Sequence, residues 1–381
     1  MTETDIAIIG AGIAGASIAA HLSALGDHDI TVYERGRLAG ETTAKSAAYF
    51  GFYGSDLERR LKRYGMATYN DFAADPRAAP EYNLVGRMHV ATTADGADEL
   101  RADAAEESGV EFLDRDAVPR SLFVPELAID AIQGVHYRPH VGYFTPRELA
   151  LEFVDRARDR GVDFRTRAAV SELLVEDGRI TGLLVDDDRV TADAVVCAAG
   201  PWTPQLLATA GIDLPVYHTL APIRKLDRTD DHAHTLPIVS HRESGVYVRG
   251  HGPDSVLVGH YPNDPERTTL DPETIADSVP ESIRADMDAM LAEVLPPLST
   301  ADVAEEWVGI RSGTPDGHPI AGWTDVTGLS VAAFNSSGIQ LAPAIGDLIA
   351  RQLLRGEPTD VFDVLSIGRF DGHDPEPFHL D

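Results

Sequence analysis

Apolar runs and helical spacing alternate along the first part of the chain. Residues 5–9 form a short apolar run, and a glycine-rich turn separates them from residues 14–25, whose apolar positions recur at helical spacing. Residues 30–34 are a second run, rich in β-branched side chains. This order predicts a strand, a helix and a second strand, with the two strands parallel and joined by a right-handed crossover.

The rest of the chain divides into helical, short-strand and antiparallel regions. Helices are predicted over 56–74, 97–108 and 146–160, the last with Pro146 at its first position. Short alternating strands are predicted over 162–196 and a buried strand over 193–199. Residues 216–309 are typical of antiparallel sheet, with strands near 244–249, 255–260 and 301–309 and a helix near 281–294. The end of the chain returns to a strand at 329–333 and a helix at 339–355.

These elements predict an α/β fold (α+β overall) with two interlocked domains. The pieces typical of a dinucleotide-binding, Rossmann-like domain lie at both ends and in the middle, so we expect that domain to be discontinuous. We assign to it residues 1–80, 145–215 and 310–381. A substrate-binding domain built on antiparallel sheet takes residues 81–144 and 216–309.

The first turn carries a glycine motif with a physical purpose. Gly10, Gly12 and Gly15 have the spacing that allows a tight turn, close approach of a pyrophosphate and close packing of helix on strand. Glu34, at the end of the second strand, is placed to accept a ribose hydroxyl. The alternative is a glycine-rich turn in a core strand–helix–strand unit. The motif indicates dinucleotide binding but does not separate FAD from NAD.

Four segments in the same order carry a family resemblance. Besides the glycine motif they are Gly40 to Tyr49, Cys197 to Trp202, and Gly309 to Gly317 followed by residues 334–346. Together they resemble the D-amino acid oxidase-like family of FAD-dependent oxidoreductases, which includes glycine oxidase, sarcosine oxidase and D-amino acid dehydrogenases. The resemblance covers nearly the whole chain and is closest to the glycine oxidase branch between Leu295 and Leu354.

The resemblance implies an FAD-binding domain and assigns cofactor contacts. The residues that would hold the ADP half are Gly10, Gly12, Ile13, Ala14, Gly15, Glu34 and Arg35. The loop of Thr42, Thr43, Ala44, Lys45 and Ser46 would line the pyrophosphate and the flavin. Backbone contacts are expected from Val170, Ala198, Ala199 and Gly200, with Trp202 in the same stretch. Gly338, Ile339, Gln340 and Leu341 begin a helix that the family aims at the flavin pyrimidine ring, where amide groups stabilise negative charge.

Two side chains are the candidates for the catalytic site. Arg311 matches the family's carboxylate-binding arginine, and a planar guanidinium suits a carboxylate because it binds both oxygens at once. The alternative for Arg311 is a surface ion pair. Tyr247 matches a glycine oxidase tyrosine that also contacts the carboxylate, although a strand tyrosine is also typical of packing.

Two departures from the family concern the cofactor and the electron acceptor. Some sarcosine oxidases attach the flavin to a cysteine, and Gly309 stands at the matching position, so noncovalent FAD is expected. Cys197 lies in an apolar strand, as a buried thiol does. Some oxidases place a lysine near the flavin for oxygen reduction; the nearest match is Leu257, and no lysine falls near it. Oxygen and another electron carrier therefore both stay open.

The net charge of the chain limits the classes of molecule that it can bind. The chain has 62 Asp and Glu against 32 Lys and Arg, a formal net charge of -30, which opposes binding to nucleic acid and to anionic membranes. No apolar run is long enough to span a bilayer, and no secretory leader is recognised, so we expect a cytoplasmic protein. His232 and His234 are possible metal ligands, but no third ligand lies on the same element, and no metal site is expected. His218 and His260 fall in predicted strands and are interpreted as structural.

The inferred reaction is oxidation of a small amino acid or secondary amine that carries a carboxylate. Hydride transfer to flavin N5 would give an imino acid, with orientation supplied by the protein. One alternative is an FAD-dependent dehydrogenase of 2-hydroxy acids, which would use Arg311 equally. Another, from a different class, is a flavin-binding subunit without turnover.

The acidic surface also predicts a salt response. The excess charge is spread along the chain, so its self-repulsion should be relieved by screening, as in an organism with a salt-rich cytosol. The melting temperature should rise between low and molar KCl, measured by circular dichroism. A melting temperature that stays constant or falls would contradict this hypothesis.

Overall fold

The computed structural model describes residues 4–75, 77–78, 80–107, 109–118, 127–228, 236–261, 270–356 and 360–371. Within them the strands are β1 (Asp5–Ile9), β2 (Asp29–Glu34), β3 (Tyr49–Phe50), β4 (Asn83–Leu84), β5 (Arg87–Ala91), β6 (Glu111–Asp114), β7 (Gly134–Arg138), β8 (Gly142–Tyr143), β9 (Asp163–Thr166), β10 (Val170–Glu176), β11 (Arg179–Val185), β12 (Asp188–Thr191), β13 (Ala194–Cys197), β14 (Tyr217–Asp227), β15 (Ile238–His241), β16 (Val246–Gly250), β17 (Ser255–His260), β18 (Val303–Gly313), β19 (Ile320–Trp323) and β20 (Leu329–Ala333). The α-helices are α1 (Ile13–Leu25), α2 (Asp56–Ala73), α3 (Ala94–Glu106), α4 (Pro146–Arg158), α5 (Thr203–Thr209), α6 (Glu281–Val294), α7 (Gly338–Arg355) and α8 (Asp360–Leu365).

The opening strand–helix–strand unit lies at the centre of a six-stranded sheet. Its strand order is β19-β20-β13-β1-β2-β9, and β1 pairs in parallel with both β2 and β13. The predicted parallel pairing of the first two strands is therefore confirmed. β19 pairs antiparallel to β20 at one edge. The remaining pairs in this sheet are parallel, which requires apolar cover on both faces.

Alternate residues of β1 face opposite sides of the six-stranded sheet, and each side is covered by a different core. Ile6 and Ile8 join a core with α1, α4 and α7, while Ala7 and Ile9 join a second core with β10, β11 and α5. The three strands β10-β11-β12 form their own antiparallel sheet against that second face. Helices on one face and a small sheet on the other thus bury the central strands completely.

An eight-stranded sheet forms the other half of the molecule. Its order is β18-β14-β17-β16-β15-β5-β7-β6. The expected antiparallel pairing holds except between β15 and β5, which run parallel. The exception arises because β5 comes from a distant part of the chain and needs no tight turn to β15, whereas hairpin neighbours such as β16 and β17 must be antiparallel.

The two faces of this sheet differ in chemistry. Val246 and Val248 pack in a core with Met287, Leu291 and other residues of α6. The alternate residues, Tyr247 and Arg249, point to the opposite face, because successive side chains of a strand alternate. Every residue of β16 is nevertheless buried, so the polar face is covered as well.

Most predicted elements lie where expected, with differences at their ends. α3 begins at Ala94, earlier than predicted, because Thr93 caps it by accepting a hydrogen bond from the Gly96 N–H. α4 has Pro146 in its first turn as predicted, although the Thr145 side chain makes no cap. The predicted domain boundary at 309/310 falls inside β18. The domain assignment stays a prediction.

The long strand β14 had no separate prediction within 216–309. It runs for 11 residues and pairs along its length with β18. Where the structure describes the chain, none of the helices combines the length and apolar character that a membrane span requires.

Candidate active site

A deep cavity of about 1030 Å³ lies between the two large sheets. Residues at or just beyond the carboxyl ends of β1, β2 and β13 line it, namely Gly10, Arg35 and Ala198. Ligands of open α/β sheets bind at this edge, because successive parallel strands end there together. The opposite wall comes from β5, β14, β15, β16 and β18 of the eight-stranded sheet, with Tyr261 directly after β17.

The turn before α1 brings the backbone close to the cavity. Gly10 has φ +96°, and a Cβ there would lie 2.5 Å from the Ala198 carbonyl oxygen. A Cβ on Gly15 would lie 1.9 Å from the Gly10 carbonyl oxygen, so α1 packs against the strand end only with glycine at that position. Both positions support the predicted motif geometry.

The first turn of α1 leaves backbone donors directed at the cavity. Glu34 accepts the Ala11 N–H at 2.9 Å, and the Thr43 hydroxyl accepts the Ile13 N–H at 3.0 Å. The amides of Gly12 and Ala14 have no acceptor among the described residues, and both residues line the cavity. Free amides at a helix N-terminus, with the positive end of the dipole, favour a phosphate.

Glu34 is held rigidly beside this turn. Its carboxylate also accepts the Gly36 N–H at 2.7 Å, and the residue is buried. Each carboxylate oxygen has two lone pairs, so both retain capacity for a further donor such as a ribose hydroxyl. Next to it, the Arg35 guanidinium stacks 3.7 Å above the centre of the Trp202 ring and pairs with Glu273. The stack forms the wall at this end of the cavity.

A second helix N-terminus faces the cavity from α7. Gly338, Ile339 and Gln340 line the wall, and the amides of the first two have no acceptor among the described residues. The Gln340 side chain ties this turn to the segment that follows β3. It accepts the Gly51 N–H and donates to the Tyr53 hydroxyl, both at 3.3 Å.

The pairing register of the strands aligns one row of residues across the eight-stranded sheet. His89, Ser240, Tyr247 and Gly259 are directly paired neighbours across β5, β15, β16 and β17. The Tyr247 ring lies across Gly259, where a Cβ would come 2.2 Å from its Cζ. Burial raises the pKa of Tyr247, so its hydroxyl stays protonated at neutral pH and remains a donor.

Arg311 projects from β18 into the same cavity. Its guanidinium carbon lies 3.6 Å from the centre of the Tyr261 ring, and Nη2 donates to the His260 carbonyl oxygen at 3.3 Å. Nη1 is buried without a hydrogen-bond partner, and no carboxylate in the described part of the chain pairs with the side chain. Burial lowers the pKa of Arg311, but an arginine stays charged at neutral pH. The surface ion pair considered as an alternative is absent among the described residues.

Comparison with known proteins identifies the family. The model of the family described as DAO, FAD dependent oxidoreductase, matches residues 5–352. The chain belongs to the DAO family of FAD-dependent oxidoreductases. The recognition from sequence and the α/β fold are both confirmed.

Individual relatives cover the DAO-family chain to different extents. The formaldehyde-forming 4-methylaminobutanoate oxidase of Paenarthrobacter nicotinovorans is 30% identical over 98% of this chain, which spans only 46% of that relative. The iminodiacetate oxidase structure from Chelativorans sp. BNC1 is 26% identical, covers 95% of this chain and 98% of its own, and has a TM-score of 0.79. Glycine oxidase from Bacillus cereus ATCC 14579 shares the fold, with 23% identity, coverage of 95% and 100%, and a TM-score of 0.79. The chain therefore spans about half the length of its first relative.

The cavity of this DAO-family protein brings together most of the predicted site residues. Those that line it are Gly10, Gly12, Ile13, Ala14, Glu34, Arg35, Thr42, Thr43, Lys45, Ser46, Val170, Ala198, Ala199, Gly200, Trp202, Tyr247, Arg311, Gly338, Ile339 and Gln340. Gly15, Ala44 and Leu341 do not line it: Gly15 packs against the Gly10 carbonyl and Leu341 is buried in the core. The ADP half of FAD fits this end of the cavity. The free amides of α1 and the Glu34 carboxylate face it, and the glycines allow the backbone to come close to a ligand. The residue roles stay predictions.

The structure also shows lining residues that sequence reasoning missed. The expectation that no lysine falls near Leu257 was wrong, because Lys225 on β14 is its directly paired neighbour. Leu257 itself is buried away from the cavity, whereas Lys45 and Lys62 both line it. Only Lys45 was singled out, as part of the loop. Tyr261, which stacks on Arg311, and Arg87 were not identified either. The one usable signal for Arg87 was alternation along β5, in which polar residues occupy every other position.

The histidines and the cysteine have structural surroundings. His218 hydrogen-bonds through Nδ1 to Ser312 Oγ at 3.1 Å and does not line the cavity. His232 and His234 lie outside the described residues. Among the residues that the structure does describe, no group of three or more ligands could hold a metal ion. Cys197 is fully buried, which raises the pKa of its thiol to about 12.

Replacement of Glu34 tests the cofactor end of the cavity. Glu34→Ala removes the acceptor of two backbone amides and of the expected ribose hydroxyl, so we expect FAD affinity to fall about 10- to 100-fold, since a hydrogen bond to a charged group contributes about 1.5–3 kcal/mol. The measurement is FAD titration of apoprotein by fluorescence. Glu172→Ala, on an exposed position of β10, is the control. Equal FAD affinity in the two variants would show that Glu34 does not contribute to cofactor binding.

Gly259→Ala tests the placement of Tyr247 without touching its hydroxyl. The added Cβ would collide with the tyrosine ring and must displace it, although the backbone itself tolerates alanine. Steady-state turnover should fall in Gly259→Ala and in Tyr247→Phe, and the double variant should lose no more than the worse single variant, since neighbours couple. Fully additive losses would show that Gly259 does not act through Tyr247.

Proposed function

We propose that this protein oxidises the C–N bond of a small amine that carries a carboxylate, with FAD as the bound cofactor. The observation that carries the proposal is Arg311, a buried guanidinium in the cavity that has no carboxylate partner among the described residues. An unpaired buried cation is costly, so the site is complete only when an anion binds. A substrate carboxylate supplies that anion.

The chain's own groups bind and orient this substrate. The Arg311 guanidinium, flat against Tyr261, presents Nη1 to the carboxylate. The Tyr247 hydroxyl has no hydrogen-bond partner among the described residues and, remaining protonated, donates to the same carboxylate. Two anchors fix the substrate's orientation, which lowers the entropic part of the barrier. FAD, when bound, supplies the hydride acceptor that turns the C–N bond into an imine.

The residues that would hold the cofactor need no covalent bond. Cys197 is buried away from the cavity, and Gly309 has no side chain. A Cβ on Gly309 would lie 3.3 Å from Lys45 Cβ, so the loop occupies the space next to that position. We therefore propose noncovalent FAD.

The relatives' names support an amine substrate. The first relative is named for a methylamino acid and the Chelativorans enzyme for iminodiacetate, and each name describes a secondary amine with a carboxylate. The electron acceptor is proposed to be oxygen or another carrier, with Lys45 and Lys62 as the lysines that line the cavity. A cytoplasmic location is part of the same proposal.

Arg311→Gln tests the carboxylate anchor. Loss of two charge-assisted hydrogen bonds should lower kcat/KM for the best amino acid at least about 100-fold, while the flavin content stays at that of the wild type. The measurement is anaerobic bleaching of the flavin with a panel of D-, L- and N-methyl amino acids. Arg224→Gln is the matched control, because Arg224 lies on the other face of the same sheet and pairs with Asp288 of α6. Unchanged kinetics in Arg311→Gln would refute the proposed role.

A further inference from the structure

A second guanidinium, that of Arg87, lines the same cavity. Its Nε donates to Ser240 Oγ at 3.0 Å, and its Cζ lies 6.0 Å from the centre of the Tyr49 ring. No carboxylate of the described residues lies within ion-pair distance of it. Desolvation by burial lowers its pKa. The side chain is thus a second lining cation, half-buried, without a carboxylate partner among the described residues.

Three of the other cations around the cavity have a carboxylate partner, and the fourth, Lys62, has a backbone carbonyl and an aromatic ring as its partners. Arg35 pairs with Glu273, Lys45 with Asp277 and Arg242 with Glu99. The Lys62 ammonium donates to the Tyr53 carbonyl oxygen at 2.7 Å and lies over the Tyr53 ring. Arg87, Arg311 and Lys62 are the lining Lys and Arg side chains without a carboxylate partner among the described residues, and of these only Arg87 and Arg311 project from the eight-stranded sheet.

The groups next to Arg87 do not supply the missing charge. Arg138, directly across from it on β7, is itself neutralised by Glu107. His89 is held neutral because burial and the neighbouring arginines keep its pKa well below the usual value. Arg249 is enclosed against Tyr143 and does not line the cavity. Glu107 also interacts electrostatically with Arg87, but it pairs with Arg138, and no described carboxylate forms an ion pair with Arg87.

The anchors of the two guanidinium groups lie on strands that are close together in the eight-stranded sheet. Arg311 is anchored at the His260 carbonyl at the end of β17, and Arg87 is anchored at Ser240 on β15. β16 lies between these strands, so the anchors are two strand spacings apart, about 10 Å. Tyr247 on β16, between these strands, and Tyr261, stacked on Arg311, both line the cavity as well.

We propose that the substrate is an amine with two carboxylates, the first bound by Arg311 next to the oxidised C–N bond and the second by Arg87. Each carboxylate would lie about 2.8 Å from its guanidinium, so the ligand that joins the two sites must be small enough to fit between anchors about 10 Å apart. That spacing suits carboxyl carbons about four bonds apart, as in an acidic amino acid or an N-carboxyalkyl amino acid. The inference rests on the proposed function and adds its substrate class.

The kinetic test compares matched substrates on the FAD-loaded protein. Glutamate is paired with glutamine in both enantiomers, and N-(carboxymethyl)glycine with N-ethylglycine, by anaerobic flavin bleaching. The wild type should favour each diacid by about 10- to 100-fold in kcat/KM, the value of one hydrogen-bonded charge pair. Arg87→Gln should lose this preference, Arg87→Lys should keep part of it because it retains the charge, and Arg224→Gln should keep all of it.

A binding measurement separates the subsite from the reaction. Glutarate and butyrate, which cannot be oxidised at a C–N bond, are titrated into the FAD-loaded protein by calorimetry, with melting temperatures showing that each variant is folded. In the wild type, glutarate should bind at least about 10-fold more tightly than butyrate. In Arg87→Gln, the two ligands should bind with equal affinity.

Each failure has its own pattern. If no amine bleaches the flavin, the proposed function fails, and the glutarate titration still decides the subsite. If amines bleach it but the diacids and glutarate show no advantage that depends on Arg87, the subsite is wrong and the proposed function stands. Weaker FAD binding in Arg87→Gln, with no change in diacid preference, would assign the guanidinium to the cofactor and overturn the inference.

Discussion

The structure depends on burying positive charge at the face of a sheet. The eight-stranded sheet has one apolar face, packed on α6, and one face that carries Tyr247, Arg311 and Arg87 toward the cavity. Guanidinium groups buried without carboxylates raise the free energy of the folded state, and the apolar packing on the other face must offset that cost. The cavity is therefore complementary to anions before any ligand arrives.

The nucleotide end of the molecule was largely predictable from sequence because its constraints are local. Gly10, Gly15 and Glu34 lie within a single strand–helix–strand unit, where spacing alone fixes which backbone atoms meet. Helix limits were predictable for the same reason, and errors at their ends came from caps such as Thr93, whose effect depends on a side-chain hydrogen bond. Arg311 was found through its motif rather than through any periodicity.

The substrate end was less predictable because it is assembled by long-range pairing. β5 meets β15 in parallel across about 150 residues, and no local signal indicates that contact. Alternation along β5 and β16 separates two faces, but it does not tell a solvated face from one that lines a cavity. For that reason Arg87 and Tyr261 were missed, and Lys62 could not be placed. The roles assigned to the site residues and the domain limits stay predictions.

One face of β16 packs in the core and the other lines the cavity, and this separation has an evolutionary consequence. Val246 and Val248 pack in the apolar core on one side, and Tyr247 lines the cavity on the other. Mutations can therefore accumulate on the ligand side without disturbing the packing that holds the sheet together. A scaffold of this kind can acquire new specificities through a few exchanges of polar side chains, which makes positions 87 and 240 suitable first targets for redesign.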